Sequence, residues 1–246
     1  MAFPETVPRS PAAVALHVGS FLSLTWSFRQ LFKPSPMHDF MASQYGGHWQ
    51  FLTILSLAAA WLTFAFALLK DAFPSVILFA RLKTTLAIVA VPVEGFVGVL
   101  YWSMQLYDPS LLTPPNPLFV LPFHLDISIH GLPAVLLWAD FLAFSPPFPK
   151  EANPVSIAVT ATMSYVAWME FVASKNGTFP YPFLNELTKS QRSIFYLFQI
   201  PIVIVLYRGA NGLHHLVRGY DKGKEAKTVR AAERKAAEKI EAAKEE

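Results

Sequence analysis

The sequence contains no cysteine, which excludes disulfide frameworks, cysteine-ligated zinc and a thiol nucleophile. Charged residues are also scarce. They make up 15% of the chain, whereas a soluble globular protein contains about 25%. The small net charge of +3, without a basic surface interleaved with aromatic residues, argues against a nucleic-acid partner. Because 53% of the residues are hydrophobic, these deficits indicate an integral membrane protein.

Several signature motifs of soluble enzymes are missing as well. The chain has no G-x-S-x-G elbow, no H-E-x-x-H, no phosphate-binding P-loop and no G-x-G-x-x-G. Its seven histidines do not form the clusters of a membrane di-iron enzyme. His214 and His215 are adjacent, so they point in different directions on a helix. We therefore expect no metal ion and no cofactor.

The apolar residues are gathered into six long segments. About 20 apolar residues cross a bilayer as a helix, and loop-forming Pro, Gly and polar residues separate the segments. The sequence therefore predicts an all-α, polytopic membrane bundle of about six transmembrane helices in residues 1–218. A charged, helical cytosolic tail is predicted for residues 219–246. The predicted spans are residues 12–28, 50–69, 84–107, 123–144, 154–174 and 193–217.

Basic residues near the span ends set the orientation of a membrane protein. An even number of spans puts both termini on one side, and the Lys and Arg of the tail place that side in the cytosol. Thr53 and His130 then lie roughly 6 Å and 10 Å below the opposite face. Asp126 lies one helical turn before His130, and Glu170 lies about 6 Å from the same face. Four polar residues are thus predicted at one level of the membrane.

This combination is chemically suggestive, because a threonine hydroxyl becomes a nucleophile when a histidine accepts its proton. A carboxylate can fix the histidine tautomer, and Asp126 is the candidate, although its i,i+4 position is not ideal for a direct bond. Other readings stay open from the residues alone. Thr53 could bond the carbonyl one turn back, and His130 could join two helices.

A second hypothesis comes from a different class of protein. Glu94, Asp140 and Arg208 are not needed by an esterase, and they could serve a non-catalytic membrane protein that binds or transports a small solute. A third is that the chain is an interaction scaffold whose working part is the tail.

Three segments resemble the androgen-induced protein / androgen-dependent TFPI-regulating protein family. They are "YGGHWQFLT" at 45–53, "IHGLPAVLLW" at 129–138 and "YVAWMEFVASKNGTFPYPFL" at 165–184, and the resemblance extends over roughly residues 12–215. It implies a multi-span protein with cytosolic termini. It also implies intramembrane hydrolysis of fatty acid esters of hydroxy fatty acids, or related lipid esters, by a threonine nucleophile and a histidine.

The catalytic residues of that family fall on Thr53 and His130, and both residue types are retained. Asp126 and Glu170 are candidate supporting residues. The chain departs from the animal members in carrying Glu94 and Glu170 and in its Ala/Glu/Lys tail. The expected partner is a lipid substrate within the bilayer. We expect an endomembrane such as the endoplasmic reticulum in preference to the plasma membrane.

Overall fold

The computed structural model describes residues 10–113, 117 and 119–218. Within these residues the protein is all-helical, and six helical segments are long and apolar enough to cross a membrane. This confirms the predicted fold class, while the predicted tail at 219–246 lies outside the described residues. The six segments are α1 (Pro11–Phe32), α3 (Leu52–Ala72), α4 (Ile77–Tyr107), α5 with α6 (Phe123–His130 and Leu132–Phe144), α7 (Pro154–Asn176) and α9 (Lys189–Val217). Two short helices, α2 (Pro36–Ser43) and α8 (Pro182–Glu186), lie in the connections.

The helix ends follow local signals in the sequence. The Asn153 side chain caps α7 by accepting from the N–H groups of Val155 and Ser156, which have no partner within the helix. At the other end, Gly177 adopts a φ of 73°, a left-handed conformation that glycine reaches without strain. Thr188 starts α9 with a capping box to Gln191. These caps keep each span at the length the bilayer requires.

Helix α4 is longer than the sequence predicted. It begins at Ile77 rather than at residue 84, because Lys83 does not lie in a solvated loop. The Lys83 side chain is only 4% exposed, and its ammonium group lies 2.8 Å from the Asp140 carboxylate. A charge neutralised in this way does not interrupt a membrane helix.

The fourth span is broken at Gly131, which ends α5 and precedes α6. Pro133 lies in the first turn of α6, where a proline without an N–H is tolerated. A Cβ atom on Gly98 of α4 would lie 3.3 Å from the carbonyl oxygen of His130, so glycine permits α4 to approach the end of α5 closely. The Trp102 indole donates a hydrogen bond of 3.2 Å to that carbonyl. The break thus leaves His130 held at a helix end.

A buried ionic cluster joins α1, α3, α4 and α6 at the end of the bundle opposite Thr53. The two ring nitrogens of His17 lie 2.5 Å from Asp71 and 2.8 Å from Asp140. The Asp140 carboxylate also accepts hydrogen bonds from Lys83 and Ser145. Each ring nitrogen of His17 therefore contacts a carboxylate from a different helix. Within a bilayer there is no hydrophobic driving force for helices to associate, so polar contacts of this kind and close packing stabilise the bundle.

Candidate active site

A tight turn fixes the start of α3. Gly46 and Gly47 have φ values of 84° and 52°, a region in which other residues are strained. The carbonyl of Trp49 accepts a hydrogen bond of 2.9 Å from the Trp168 indole. The Asn176 amide pairs with both the N–H and the carbonyl of Tyr45. The end of α7 therefore sets the position at which α3, and with it Thr53, enters the bundle.

Two tyrosines hold the first turn of α3. The Leu52 N–H donates to the hydroxyls of Tyr165 and Tyr181, at 3.1 and 3.0 Å. The Tyr165 hydroxyl donates to the Gln50 carbonyl at 3.1 Å. The Tyr181 side chain lies beside Thr53 on the wall of the same cavity, and burial raises the pKa of its hydroxyl above the usual value. Tyr181 therefore keeps its proton next to Thr53 at every physiological pH.

Thr53 is not a threonine that bonds back along its helix. In that arrangement its hydroxyl would donate to the Trp49 carbonyl, as Thr63 on the same helix donates to Ala59 at 2.7 Å. The structure gives Thr53 no such bond among the described residues, and the Trp49 carbonyl accepts from Trp168 instead. The hydroxyl of Thr53, whose residue is 7% exposed, borders an internal cavity.

His130 is oriented by a carboxylate and a tyrosine. Its Nδ1 atom lies 2.7 Å from Asp126 Oδ1, and the Tyr101 hydroxyl donates to the same oxygen at 2.6 Å. The ring of Tyr101 stacks on the imidazole with centroids 3.4 Å apart and planes within 4°. Contrary to the expectation that i,i+4 spacing is not ideal, the direct bond forms, and the stacked Tyr101 ring holds the plane of the imidazole. Nδ1 then carries the proton, and Nε2 is left with a lone pair.

Thr53, Asp126 and His130 line one cavity of about 510 Å³, called here the His130 cavity. The walls combine α1, α3, α4 and α5 with residues 119–121 and 178–182 of the connecting loops. A volume of this size is typical of a site for a small organic ligand. Among the described lining residues there is no Lys or Arg.

Glu170 is not part of this cavity. The Tyr196 hydroxyl donates to its carboxylate at 2.8 Å, and the Arg192 guanidinium lies 3.6 Å away. Glu170 therefore links α7 to α9, and of the four residues predicted at one level it is the one that the fold separates from the others.

The polar residues of the solute-transport hypothesis are also separated. Asp140 belongs to the ionic cluster, and Arg208 is exposed on α9. Glu94 is 1% exposed, and neither of its carboxyl oxygens has a hydrogen-bond partner among the described residues. The three residues do not line the His130 cavity, and no hydrogen bond or ion pair joins them in the described part of the chain. No set of three or more metal-ligating side chains gathers there either.

His48 lines the His130 cavity and is paired with His38. His38 Nδ1 lies 3.2 Å from His48 Nε2, and the two rings stack with centroids 5.3 Å apart. Burial lowers the pKa of His48 to about 4, with a further contribution from the neighbouring His38. The His48 ring is therefore neutral at physiological pH.

Sequence reasoning did not find Tyr101, Tyr165 and Tyr181 as site residues. Tyr101 lies two turns beyond Glu94 on α4, near the same membrane face as His130, so its depth was a usable signal. Tyr165 and Tyr181 act through contacts with residues more than 100 positions away. No local pattern reveals such contacts.

The fold and the site together define a helical membrane protein with a polar site buried at one end of its bundle. A model of the FAR-17a/AIG1-like protein family matches residues 12–215, and the chain belongs to that family. This confirms the resemblance seen in the sequence.

Three relatives illustrate the range of the family. A UPF0641 membrane protein of Schizosaccharomyces pombe is 36% identical over 74% of this chain and 80% of its own length. The human androgen-induced gene 1 protein is 23% identical over 72% of this chain and 78% of its own. The human androgen-dependent TFPI-regulating protein is 20% identical, with coverage of 69% and 77%. None of these names states a reaction, and no solved structure gives a significant match.

Proposed function

We propose that the protein is an intramembrane lipid esterase with Thr53 as nucleophile and His130 as general base. Its substrates are fatty acid esters of hydroxy fatty acids or related lipid esters, and its location is an endomembrane such as the endoplasmic reticulum. The observation that carries the proposal is the His130 cavity. It is lined both by Thr53, whose hydroxyl does not bond back along its helix, and by a histidine whose Nδ1 is held by a carboxylate.

The reaction follows from this geometry. Thr53 Oγ1 attacks the ester carbonyl while His130 Nε2 accepts its proton. Asp126 stabilises the imidazolium that forms, because its oxygen accepts from Nδ1. When the tetrahedral intermediate collapses, His130 returns the proton to the departing alcohol. Water then attacks the acyl-threonine while His130 Nε2 accepts a proton from it. His130 returns this proton to Thr53 Oγ1 as the fatty acid is released.

Tyr181 is the candidate donor to the developing oxyanion. Tyr165 donates to the Gln50 carbonyl, whereas the Tyr181 hydroxyl accepts from Leu52 and keeps its own proton, which it can donate to a substrate oxygen bound beside Thr53. The first N–H groups of α3 add positive potential at the same place. Donors fixed before the reaction stabilise the transition state without reorganisation.

The lining of the cavity favours a lipid ester over a charged solute. Its walls are mainly aromatic and aliphatic, and the described part contains no Lys or Arg that would pair with an anion. An ester group near the membrane surface reaches this depth with little desolvation. The solute-transport hypothesis has no comparable support, because none of its three residues lines the His130 cavity.

Replacing His130 tests the function directly. We expect purified His130→Ala in lipid vesicles to hydrolyse a branched fatty acid ester at least about 100-fold more slowly than wild type, because the general base is lost. The matched control is His124→Ala, which removes an exposed histidine of the same helix whose ring lies against Trp26. Released fatty acid is measured by mass spectrometry. Equal rates for wild type and His130→Ala would contradict the proposal.

A second prediction concerns the orientation of His130. Asp126→Asn should lower kcat by about 10²- to 10⁴-fold, because the amide cannot stabilise the imidazolium. Tyr101→Phe removes one hydrogen bond to Asp126 but keeps the stacked ring, so its loss should be nearer tenfold. Steady-state kinetics on the same ester measures both. A larger effect for Tyr101→Phe than for Asp126→Asn would show that Asp126 is not the orienting group.

A further inference from the structure

Tyr181 lies in a short connection between α7 and α9. Residues 178–187, called here the Tyr181 segment, contain α8, and Tyr181 is the residue directly before that helix. Residues 178–182 and Asn185 of this segment line the His130 cavity. The contacts that fix the Tyr181 segment therefore also fix the Tyr181 hydroxyl relative to Thr53.

The Asn185 side chain closes the first part of the Tyr181 segment. Its carbonyl oxygen accepts from the Phe179 N–H at 2.9 Å and from the Thr178 hydroxyl at 3.0 Å. Its amide nitrogen donates to the Phe179 carbonyl at 3.4 Å. Within α8, the Leu184 N–H donates to the Tyr181 carbonyl at 3.1 Å. These bonds join Tyr181 and α8 into one compact unit.

Arg192 of α9 holds the other end of this unit. Its Nη1 atom donates to the Leu187 carbonyl at 2.6 Å and to the Leu184 carbonyl at 3.4 Å. Carbonyl groups at the end of a helix have no partner within the helix, and an arginine side chain can bond them. The guanidinium also lies 4.5 Å from the centre of the Phe179 ring, close enough for attraction between a cation and an aromatic face. One side chain thus contacts both ends of the Tyr181 segment.

Glu170 keeps Arg192 in this position. The Arg192 side chain is only 14% exposed, and its Nε atom lies 3.6 Å from the Glu170 carboxylate. The same carboxylate accepts a hydrogen bond of 2.8 Å from the Tyr196 hydroxyl of α9. The planar guanidinium offers donors in a fixed geometry, so it connects several groups without much freedom to move. Arg192 therefore forms a rigid connection between α7, α9 and the Tyr181 segment.

We propose that Arg192 is a positioning residue for the reaction at Thr53, an inference that rests on the proposed esterase function. Arg192 fixes α8, and α8 fixes the Tyr181 hydroxyl where it can donate to the developing oxyanion. That hydroxyl lies 3.0 Å from the Leu52 N–H at the start of α3, so a tilt of α8 moves it away from a substrate oxygen bound at Thr53. A displacement of about 1 Å in a catalytic group is enough to slow a reaction strongly. Glu170 contributes one step further away, by holding Arg192.

Steady-state hydrolysis of one branched fatty acid ester by purified variants in lipid vesicles tests this role. Tyr181→Phe should lower kcat by about 100-fold with little change in KM, because an oxyanion donor acts in the transition state. Arg192→Gln should lower kcat by about tenfold, also with little change in KM. Arg192→Lys keeps the charge but not the planar fork, so it should recover part of that loss. The matched control is Arg29→Gln, which removes an exposed arginine from the last turn of α1 and should behave as wild type.

The double variant Arg192→Gln/Tyr181→Phe distinguishes positioning from a general structural role. If Arg192 acts through Tyr181, the double variant has the kcat of Tyr181→Phe alone, because residues that act through one contact have non-additive effects. A kcat reduced by the product of the two single losses would show that Arg192 acts independently of Tyr181, and it would overturn the inference. A wild-type kcat for either single variant would overturn it as well.

The outcomes separate this inference from the proposed function. If the wild type does not hydrolyse the ester, the proposed function fails, and the role of Arg192 in the reaction fails with it. If hydrolysis requires Thr53 but Arg192→Gln retains the wild-type kcat, the inference alone is overturned. Should Arg192→Gln not fold, Glu170→Gln decides. It weakens the contact that holds Arg192 and should show the same pattern with a smaller loss of kcat.

A spin label gives a second test that does not depend on hydrolysis. Because the chain contains no cysteine, a nitroxide attached through Glu186→Cys labels one position, an exposed residue of α8. We expect Arg192→Gln to increase the mobility of this label, measured by electron paramagnetic resonance, whereas Arg29→Gln leaves the spectrum unchanged. An unchanged spectrum in Arg192→Gln would show that Arg192 does not fix α8, and it would overturn the inference even if kcat falls.

Discussion

Thr53→Ala is expected to abolish ester hydrolysis, with kcat at least about 10³-fold below wild type, because no other group in the proposed mechanism can form the acyl intermediate. Labelling by a fluorophosphonate should disappear in the same variant. The α-helix tolerates alanine well, and the Thr53 hydroxyl has no backbone acceptor to lose, so expression and thermal stability should stay near wild type. Hydrolysis and in-gel fluorescence of the labelled protein measure the two effects.

Two matched variants serve as controls for Thr53→Ala. Thr53→Ser keeps the nucleophilic oxygen and should retain labelling. Thr63→Ala removes a fully buried threonine two to three turns further along α3, whose hydroxyl donates to Ala59, and should retain hydrolysis. If Thr53→Ala hydrolysed the ester at the wild-type rate, the threonine would have to be a structural residue after all.

The spans were predictable because bilayer thickness fixes how long an apolar helix must be. The ends of the spans were harder to predict where a charged residue is buried. Lys83 indicated a loop because its partner, Asp140, lies 57 residues away. The break at Gly131 depends on the close approach of α4 at Gly98, which is a tertiary contact.

The sequence predicted how deep in the membrane the site residues lie, but not which neighbouring helix each side chain faces. Counting residues from the span ends placed Thr53 and His130 near one face, and the structure places both on one cavity. The same count placed Glu170 there. Depth, however, says nothing about which side of a helix a residue occupies, and Glu170 faces α9 instead. Asp126 was named as the candidate orienting residue from its position one turn before His130, but the stacking of the Tyr101 ring on His130 is invisible in sequence.

Asp140→Ala is expected to have the largest effect on stability. The variant leaves Lys83 and His17 buried without the carboxylate that both contact. Removing one partner of a buried ionic pair costs about 3–5 kcal/mol, which corresponds to a decrease of about 10 °C in the unfolding midpoint of a protein of this size. Thermal unfolding of the detergent-solubilised protein, followed by circular dichroism, measures the shift. Asp39→Ala, which removes an exposed aspartate, should shift the midpoint by far less.

The double variant Asp140→Asn/Lys83→Met separates a structural role from a functional one. It removes the anion and the cation together, so it should be more stable than Asp140→Ala, since contacting residues show non-additive energies. Because the ionic cluster lies at the opposite end of the bundle from Thr53, the folded double variant should still react with a fluorophosphonate. A folded double variant that no longer reacts would show that Asp140 serves the site itself. Retained labelling together with restored stability would show that the ionic cluster stabilises the packing of four helices and takes no part in the reaction at Thr53.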